Sequence, residues 1–198
     1  MTRAVIVAGT LLLLVNGCVR PPQAPPKSVH TIAVLPANNQ TGDDLLISGG
    51  SVLEKYVFHS ARVTVTDVLA AEARSVLERG GYTLVSPELV ESATRGRVPA
   101  SAEEAASLAS EGGLAGDVLY IDLRQWTAEL TDAASSILVS MRIDLIDPAT
   151  GRTLWSADHP PRPVQTPGTI NFADAYWVAA RSVVRQLLEP FGARQAER

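Results

Sequence analysis

The sequence predicts one α/β domain of the α+β two-layer type, in which a mixed sheet packs against helices. Two segments, 117–130 and 135–147, are its clearest strands. The second alternates apolar residues with mostly polar ones, which is the period of a strand covered on one face. Helical segments with capping signals lie before and after them. An antiparallel meander over about residues 117–158 is therefore expected beside the helices.

The first half of the domain is predicted to alternate strands and helices. Residues 30–36 form a short apolar run that ends at a proline and predicts a buried strand, and a turn-rich loop over 37–50 follows. Residues 51–62 fit either a strand or a helical turn, and that choice stays open. The remaining segments are a helix over 64–79, a strand over 82–86, a short helix over 87–94 and a helix that Ser101 opens.

The meander carries four charged residues in two pairs. Asp122 and Arg124 share one face of the first strand, and Arg142 and Asp144 share one face of the second. If the two faces coincide, opposite charges can pair across the strands, although exposed pairs add well under about 1 kcal/mol each.

The last part of the domain is predicted to be a strand over 152–158, a long loop over 159–170 and a helix. The loop follows from its four prolines, and Asn171 with Asp174 caps the helix. The apolar stripe of this helix binds a membrane or a partner, or it packs on the sheet; we expect packing, because the polar face has few cations. The stripe consists of Phe172, Ala173, Tyr176, Ala180, Val183, Val184, Leu187 and Leu188.

The amino terminus is similar to a bacterial lipoprotein signal. Arg3 precedes an apolar core of 12 residues, which is shorter than the roughly 20 residues that span a bilayer. Leu14 to Gly17 and then Cys18 fit a lipobox, in which cleavage after Gly17 leaves Cys18 to carry the lipid. An ordinary signal peptide that contains a cysteine, or a buried amino-terminal helix, is the alternative.

The chain divides into a signal peptide at 1–17, a tether at 18–29, one globular domain at 30–191 and a polar tail at 192–198. Four prolines within nine residues predict that the tether is extended. Position 19 is valine rather than the aspartate that commonly retains lipoproteins in the inner membrane. We therefore expect an outer-membrane anchor that faces the periplasm, or a cell-membrane anchor if the host has one membrane.

The composition excludes several classes of protein. The net charge is −4 and there is no basic run, which argues against nucleic-acid binding. Loss of Arg3 with the signal would make the net charge −5. One cysteine cannot form an internal disulfide or a Cys-rich zinc site, and no cofactor is expected.

Three motifs resemble a bacterial outer-membrane lipoprotein family whose fold is similar to the TolB amino-terminal domain and to CsgG. They are Thr31 to Gly42, the hairpin from Leu145 to Trp155, and residues 116–126. The resemblance covers roughly residues 30–190 and rests on turns and strands rather than on chemistry. It implies an envelope protein that binds other proteins. The propeller repeats of TolB and the transmembrane hairpins of the CsgG pore have no counterpart in this sequence.

The sequence contains no recognisable catalytic or nucleotide-binding motif. A lipid-anchored hydrolase is the enzymatic alternative, and it requires a serine or carboxylate next to His30, His59 or His159. Asp43-Asp44 fits a solvated loop better than a paired-carboxylate or calcium site, because no third acidic residue follows at regular spacing.

The candidate contact surfaces are the two long loops and one aromatic residue. Trp126 is expected on the half-polar face of its strand, where it anchors an interface or lies under a helix. The sequence predicts a non-enzymatic envelope protein that docks on or regulates another envelope protein or assembly, with a second copy as another partner. A component of a transport or secretion complex is the alternative. The candidate partner-binding residues are Asn38, Asn39, Thr41, Asp43, Asp44, Trp126 and His159.

Overall fold

The computed structural model describes residues 24–26, 31–47, 62–130, 135–169 and 171–192. The strands are β1 Thr31–Val34, β2 Asn38–Asn39, β3 Leu46–Ile47, β4 Val63–Thr64, β5 Thr83–Leu84, β6 Asp117–Leu130, β7 Ser135–Asp147 and β8 Arg152–Gln165. The helices are α1 Val65–Arg79, α2 Pro87–Thr94, α3 Ala102–Glu111, α4 Phe172–Leu187 and α5 Glu189–Gly192. The signal peptide, Gly17 and Cys18 lie outside the described residues, so the division of the chain stays a prediction.

The main sheet has six strands, and its mixed topology confirms the predicted fold class. Its order is β5-β1-β6-β7-β8, and β2 continues the line of β1 along β6. The strands β5, β1 and β2 run parallel to their neighbours, whereas β6, β7 and β8 form the predicted antiparallel meander. The short strands β3 and β4 pair separately.

Side-chain caps fix where the helices begin. The hydroxyl of Thr64 accepts from the backbone N–H of Asp67, and the Asp67 carboxylate accepts from the N–H of Thr64 at 2.8 Å. Two helix-end donors of α1 are thereby satisfied. Ser101 caps α3, and Asn171 caps α4 through the N–H of Asp174 at 2.9 Å. These three predicted helix starts are confirmed, and so is the fourth, at Pro87.

Helices cover the two faces of the sheet unequally. The helices α1 and α4 cover one face, over core side chains such as Ile121, Met141 and Trp155. The helices α2 and α3 cover only the part of the other face around Ala33 and Val118. The remainder of that face carries polar side chains, and we call it the polar face. It consists of Tyr120, Asp122, Arg124, Arg142, Asp144, Ser156 and Asp158.

The apolar stripe of α4 packs on the sheet, as predicted. The buried residues of the helix are Ala175, Ala179, Ala180, Val183, Val184 and Leu187, of which the last four belong to the predicted stripe. Phe172 is the exception, because it lies at the start of the helix and is 55% exposed.

A β-bulge between Leu123 and Gln125 shifts the facing of the second half of β6. Leu123 and Trp126 are three residues apart, yet both belong to the core under α1 and α4, which strict alternation would forbid. The expectation that Trp126 lies on the half-polar face is therefore wrong, and its alternative position under a helix is correct. Its ring stacks edge-on against Tyr176 of α4, with centroids 5.7 Å apart.

The strand β8 is longer than predicted and replaces most of the loop expected over 159–170. Its Pro160, Pro161 and Pro163 lie on an edge strand next to a register shift, and edge strands and bulges are the places where a sheet tolerates proline. A second bulge next to Val139 accommodates the extra residues of β8. Prolines on an edge also prevent pairing with a further strand.

Two smaller expectations for the first half of the domain are also corrected. The strand predicted over 82–86 is only the two residues of β5, and the loop predicted over 37–50 contains β2 and β3. Residues 48–61 lie outside the described residues, so the open choice for 51–62 stays open.

Candidate interaction surface

The polar face is organised around Asp122, whose carboxylate is buried although none of the helices in the described residues covers it. Its Oδ1 accepts hydrogen bonds from Nδ2 of Asn38 at 3.0 Å and from Nε2 of Gln40 at 2.7 Å. Its Oδ2 accepts from Nε of Arg124 at 2.9 Å. The register of β2 places Asn38 directly opposite Asp122, which explains why a loop amide reaches the sheet. Three donors thus replace the water that this carboxylate loses on burial.

A second buried carboxylate, Asp144, organises the neighbouring strand. Both of its oxygens accept from Nε of Arg142, at 3.0 and 2.9 Å, and it also accepts from the hydroxyl of Ser156. Nη2 of Arg142 donates to the Ser156 oxygen at 2.8 Å. The hydrogen bond with Asp144 raises the pKa of Arg142 further above its usual value. The guanidinium is therefore held, charged, in one orientation.

The charged groups of the polar face form two levels. Asp122 and Asp144 lie at the bottom, whereas Arg124 and Arg142 are 43% and 40% exposed. Asp158 of β8 is 52% exposed and lies 3.5 Å from Nη1 of Arg124. The two guanidiniums are fixed before any partner arrives, so binding a polar partner would order few additional side chains.

Tyr120 closes the polar face on the side where α3 packs. Its hydroxyl accepts a hydrogen bond from Nδ2 of Asn38 at 3.3 Å. Burial and the nearby charge of Asp122 raise the pKa of Tyr120 to about 12, despite that hydrogen bond. The phenol therefore stays protonated at neutral pH.

The predicted loop residues beyond Asn38 form a closed turn. Oδ1 of Asn39 accepts from the backbone N–H and the hydroxyl of Thr41, at 3.0 and 2.7 Å. Nδ2 of Asn39 donates to the carbonyl oxygen of Asp43 at 2.7 Å. Asp43 and Asp44 are exposed. The structure thus brings Asn38 into the polar face and keeps the other four residues in the adjoining turn.

His159 is buried in β8 instead of lying in a loop. Its Nδ1 is 3.1 Å from the carbonyl oxygen of Val139, and Nε of Arg162 donates to its Nε2 at 3.0 Å. These partners assign the neutral tautomer with the proton on Nδ1. Burial and the charge of Arg162 lower its pKa.

The burial of Trp126 and His159 bears on both predicted functions, partner binding and hydrolysis. Trp126 and His159 are 4% and 1% exposed, so neither side chain offers surface to a partner. The two ring nitrogens of His159 contact a carbonyl oxygen and an arginine, which is not the serine or carboxylate pairing that the hydrolase requires. His30 and His59 lie outside the described residues.

Sequence reasoning missed an ionic cluster between α1 and α4. Glu72 of α1 is 5% exposed, and its carboxylate accepts from Nε of Arg181 at 2.8 Å and from Nε of Arg185 at 2.6 Å. Nη2 of Arg79 lies 3.5 Å away. We call Arg79, Arg181 and Arg185 the arginine cluster. Burial works to raise the pKa of Glu72, but the hydrogen bonds from the two arginines of α4 outweigh it and lower that pKa.

A signal for this cluster is visible in the sequence. Glu72 falls on the apolar face of α1, between Leu69 and Val76 at helical spacing. A carboxylate on the buried face of a helix requires a charged partner from another element, because its desolvation would otherwise be uncompensated. The partners lie more than 100 residues further along the chain, so spacing alone cannot identify them.

Two grooves lie away from the polar face. One, of about 710 Å³, is lined by Leu84, Leu89 and the connection from α3 to β6. The other, of about 700 Å³, lies between α1 and α2 above Arg74. Neither groove contains a residue of the polar face or a predicted site residue.

Two further kinds of feature are absent from the described residues. These residues include no group of three or more His, Cys, Asp or Glu side chains placed to hold a metal ion. None of the helices that they form has the length and apolarity needed to cross a bilayer.

Structural comparison relates this domain to known bacterial proteins. A PelC dodecamer from Paraburkholderia phytofirmans superimposes with a TM-score of 0.50 at 16% identity, covering 87% of this chain and 96% of that one. The lipoprotein GNA1162 from Neisseria meningitidis gives a TM-score of 0.49 at 20% identity, over 81% and 99% of the two chains. E. coli LpoB gives 0.38 at 16% identity, over 83% and 84%.

The PelC comparison shows that the two chains share a fold. The chain is therefore a mixed α/β domain of the architecture found in that bacterial protein. No protein-family model matches the sequence. No curated protein matches it either. The specific resemblance to TolB and CsgG stays a prediction.

Proposed function

We propose that this protein is a non-enzymatic lipoprotein, anchored to the outer membrane through Cys18, that docks on or regulates another envelope protein through its polar face. The observation that carries the proposal is the pair of buried carboxylates, Asp122 and Asp144, that fix two half-exposed guanidiniums. Fixed charges on a sheet face that none of the described helices covers suit recognition of a complementary polar surface. The lipobox at Leu14 to Cys18 supports the anchor.

The loop between β1 and β3 adds to this surface. Asn38 and Gln40 are bonded to Asp122, so the turn formed by Asn39, Thr41 and Asp43 is held beside the polar face. Thr41, Asp43 and Asp44 thereby extend the contact surface at one edge.

The anchor is tested by changing Cys18 to Ala. We expect the wild-type chain to incorporate labelled palmitate and to fractionate with the outer membrane, and the variant to lose both properties. A variant that remains in the membrane fraction, or a wild-type chain that takes up no label, would contradict the proposed anchor.

The docking surface is tested with a photoreactive amino acid at Asp158, on the rim of the polar face. The matched control carries it at Ser182, an exposed position of α4 on the opposite side of the sheet. We expect a crosslinked protein product from position 158 and none from position 182. Equal products from both positions would contradict a dedicated docking face.

A subunit of a homo-oligomeric ring within a transport or secretion complex is the second candidate. The observation that favours it is that PelC, which shares the fold, is a dodecamer. Crosslinks in membrane extracts distinguish the two candidates. A ladder in multiples of the chain mass, 21.0 kDa before processing, supports the ring, whereas one product that contains a different protein supports docking.

A further inference from the structure

The arginine cluster carries more positive charge than its partner neutralises. Three guanidiniums share the single carboxylate of Glu72, which leaves a formal charge of +2 on a chain whose net charge is −4. Arg79, Arg181 and Arg185 are 56%, 40% and 50% exposed, whereas Glu72 is 5% exposed. The cations face the solvent and the anion lies beneath them.

The cluster is held in place before any ligand arrives. Arg181 and Arg185 each direct Nε inward to Glu72, so the exposed remainder of each guanidinium points outward. Arg181 also lies over the ring of Trp177, 5.9 Å from its centroid. A fixed guanidinium fork matches the oxygens of a phosphate and loses little freedom when it binds one.

Apolar groups beside the cluster favour a lipid phosphate over an acidic protein surface. Trp177 is half-buried under Arg181, and Val178, one turn before Arg181, is 37% exposed. Tryptophan and arginine side by side suit the membrane interface, where an amphipathic ring sits at headgroup level and the cation meets phosphate.

The position of the arginine cluster determines how the domain would be oriented on a membrane. The helices α1 and α4 cover one face of the sheet, and the polar face is on the other. We propose that the arginine cluster binds the phosphates of anionic phospholipids, so that the α1–α4 side rests on the bilayer and the polar face is directed away from it. The proposal rests on the anchor at Cys18. A tether over 18–29 at about 3.1 Å per residue would reach roughly 35 Å, which allows the domain to settle on the bilayer.

The test uses the lipidated mature protein reconstituted into vesicles that contain brominated phospholipids. The bromine quenches the fluorescence of nearby tryptophans, and subtracting the signal of Trp177→Phe from that of the wild type isolates the quenching of Trp177. We expect strong quenching in vesicles of phosphatidylglycerol and phosphatidylcholine, and at least about fivefold less in vesicles of phosphatidylcholine alone. R181Q/R185Q should abolish the quenching, and R181Q alone, which leaves Glu72 with two arginines, should reduce it about fivefold.

The matched control is R95Q/R152Q, which removes the same charge from exposed positions elsewhere. It should retain wild-type quenching, and thermal melting should show that every variant is folded. Quenching that is equal in the two vesicle types, or unchanged in R181Q, would overturn the proposal. So would an acidic protein crosslinked to position 181 without any quenching. Palmitate labelling separates the two proposals, since a labelled chain without quenching refutes the membrane contact and an unlabelled chain refutes the anchor.

Discussion

Asp122 and Arg142 lie directly opposite each other on β6 and β7, yet each forms its hydrogen-bonded ion pair along its own strand. Asp122 pairs with Arg124, and Arg142 pairs with Asp144. The ion pairs expected between these two strands are not formed by these four residues; instead Arg124 of β6 lies 3.5 Å from Asp158 of β8. Residues two apart on a strand share a face, and an arginine is long enough to fold back over that distance.

Asp144 should matter more to stability than its exposed counterpart on the polar face. Asp144→Ala leaves Arg142 and Ser156 without their acceptor, and we expect unfolding to become easier by about 2–3 kcal/mol. Asp158→Ala removes a carboxylate that is 52% exposed and should cost at most about 1 kcal/mol. Urea unfolding followed by circular dichroism measures both. Equal losses would contradict the two-level arrangement of charges.

The phenol of Tyr120 should titrate far above the ordinary range. We expect its pKa near 12, compared with 10.0 for an unperturbed tyrosine, because of burial first and the charge of Asp122 second. The raised pKa means that its contribution to stability is present below about pH 10 and is lost as the pH rises towards 12. Tyrosinate absorbance of the wild type minus that of Tyr120→Phe measures this titration. Asp122→Asn should lower the pKa only in part, and a difference spectrum that titrates at pH 10 would contradict the prediction.

The ion pairs of Glu72 that join α1 to α4 should weaken in acid. The folded state lowers the pKa of Glu72 below 4.5, so its contribution is complete above pH 4.5 and is lost as the pH falls through the folded value. We expect Glu72→Gln to melt at a lower temperature than the wild type at pH 7, and the two melting temperatures to converge as the pH falls through the lowered pKa of Glu72. Glu103→Gln, at an exposed position of α3, is the control and should follow the wild type throughout. A gap that does not depend on pH would mean that the carboxylate charge does not hold the helices together.

Gly116 should be far less replaceable than a glycine in an open turn. Its φ is +79°, and a Cβ there would lie 2.3 Å from the carbonyl oxygen of Thr31 on β1. Gly151 has φ +68° and nothing within 4 Å of the same position, so Gly151→Ala pays only the backbone cost of about 1–2 kcal/mol. Gly116→Ala should cost clearly more, because β1 must also move away from β6. Comparison of the two variants by thermal unfolding gives the difference, and equal costs would contradict the close approach.

Local signals explain which parts of the fold could be predicted from the sequence. The caps at Thr64, Ser101 and Asn171 act within three residues, and the alternation in β7 repeats every two, so both are visible in a short window. The sequence predicts a strand shorter than β8 because the prolines of β8 are typical of a loop. Whether a strand tolerates proline depends on its position at the edge of the sheet, and that position is known only once the sheet is assembled.

The candidate site was harder to predict, for a related reason. The sequence indicated that Asp122 and Arg124 share a face, but not that Asn38 and Gln40 arrive from 82–84 residues earlier to complete the shell of Asp122. The sequence predicts the wrong face for Trp126 because a β-bulge has no reliable sequence signal. His159 was read as a loop residue because of the two prolines that follow it.

The bulge in β6 exchanges the sides of the sheet that odd- and even-numbered residues face. Before it, even-numbered residues such as Asp122 face the uncovered side; after it, Trp126 faces the helices. Removing the single residue Arg124 would restore uniform alternation, because Leu123, Gln125 and Trp126 would then follow one another and Trp126 would stay in the apolar layer. The inserted position therefore adds a guanidinium next to Asp122 while Trp126 keeps its place under α4.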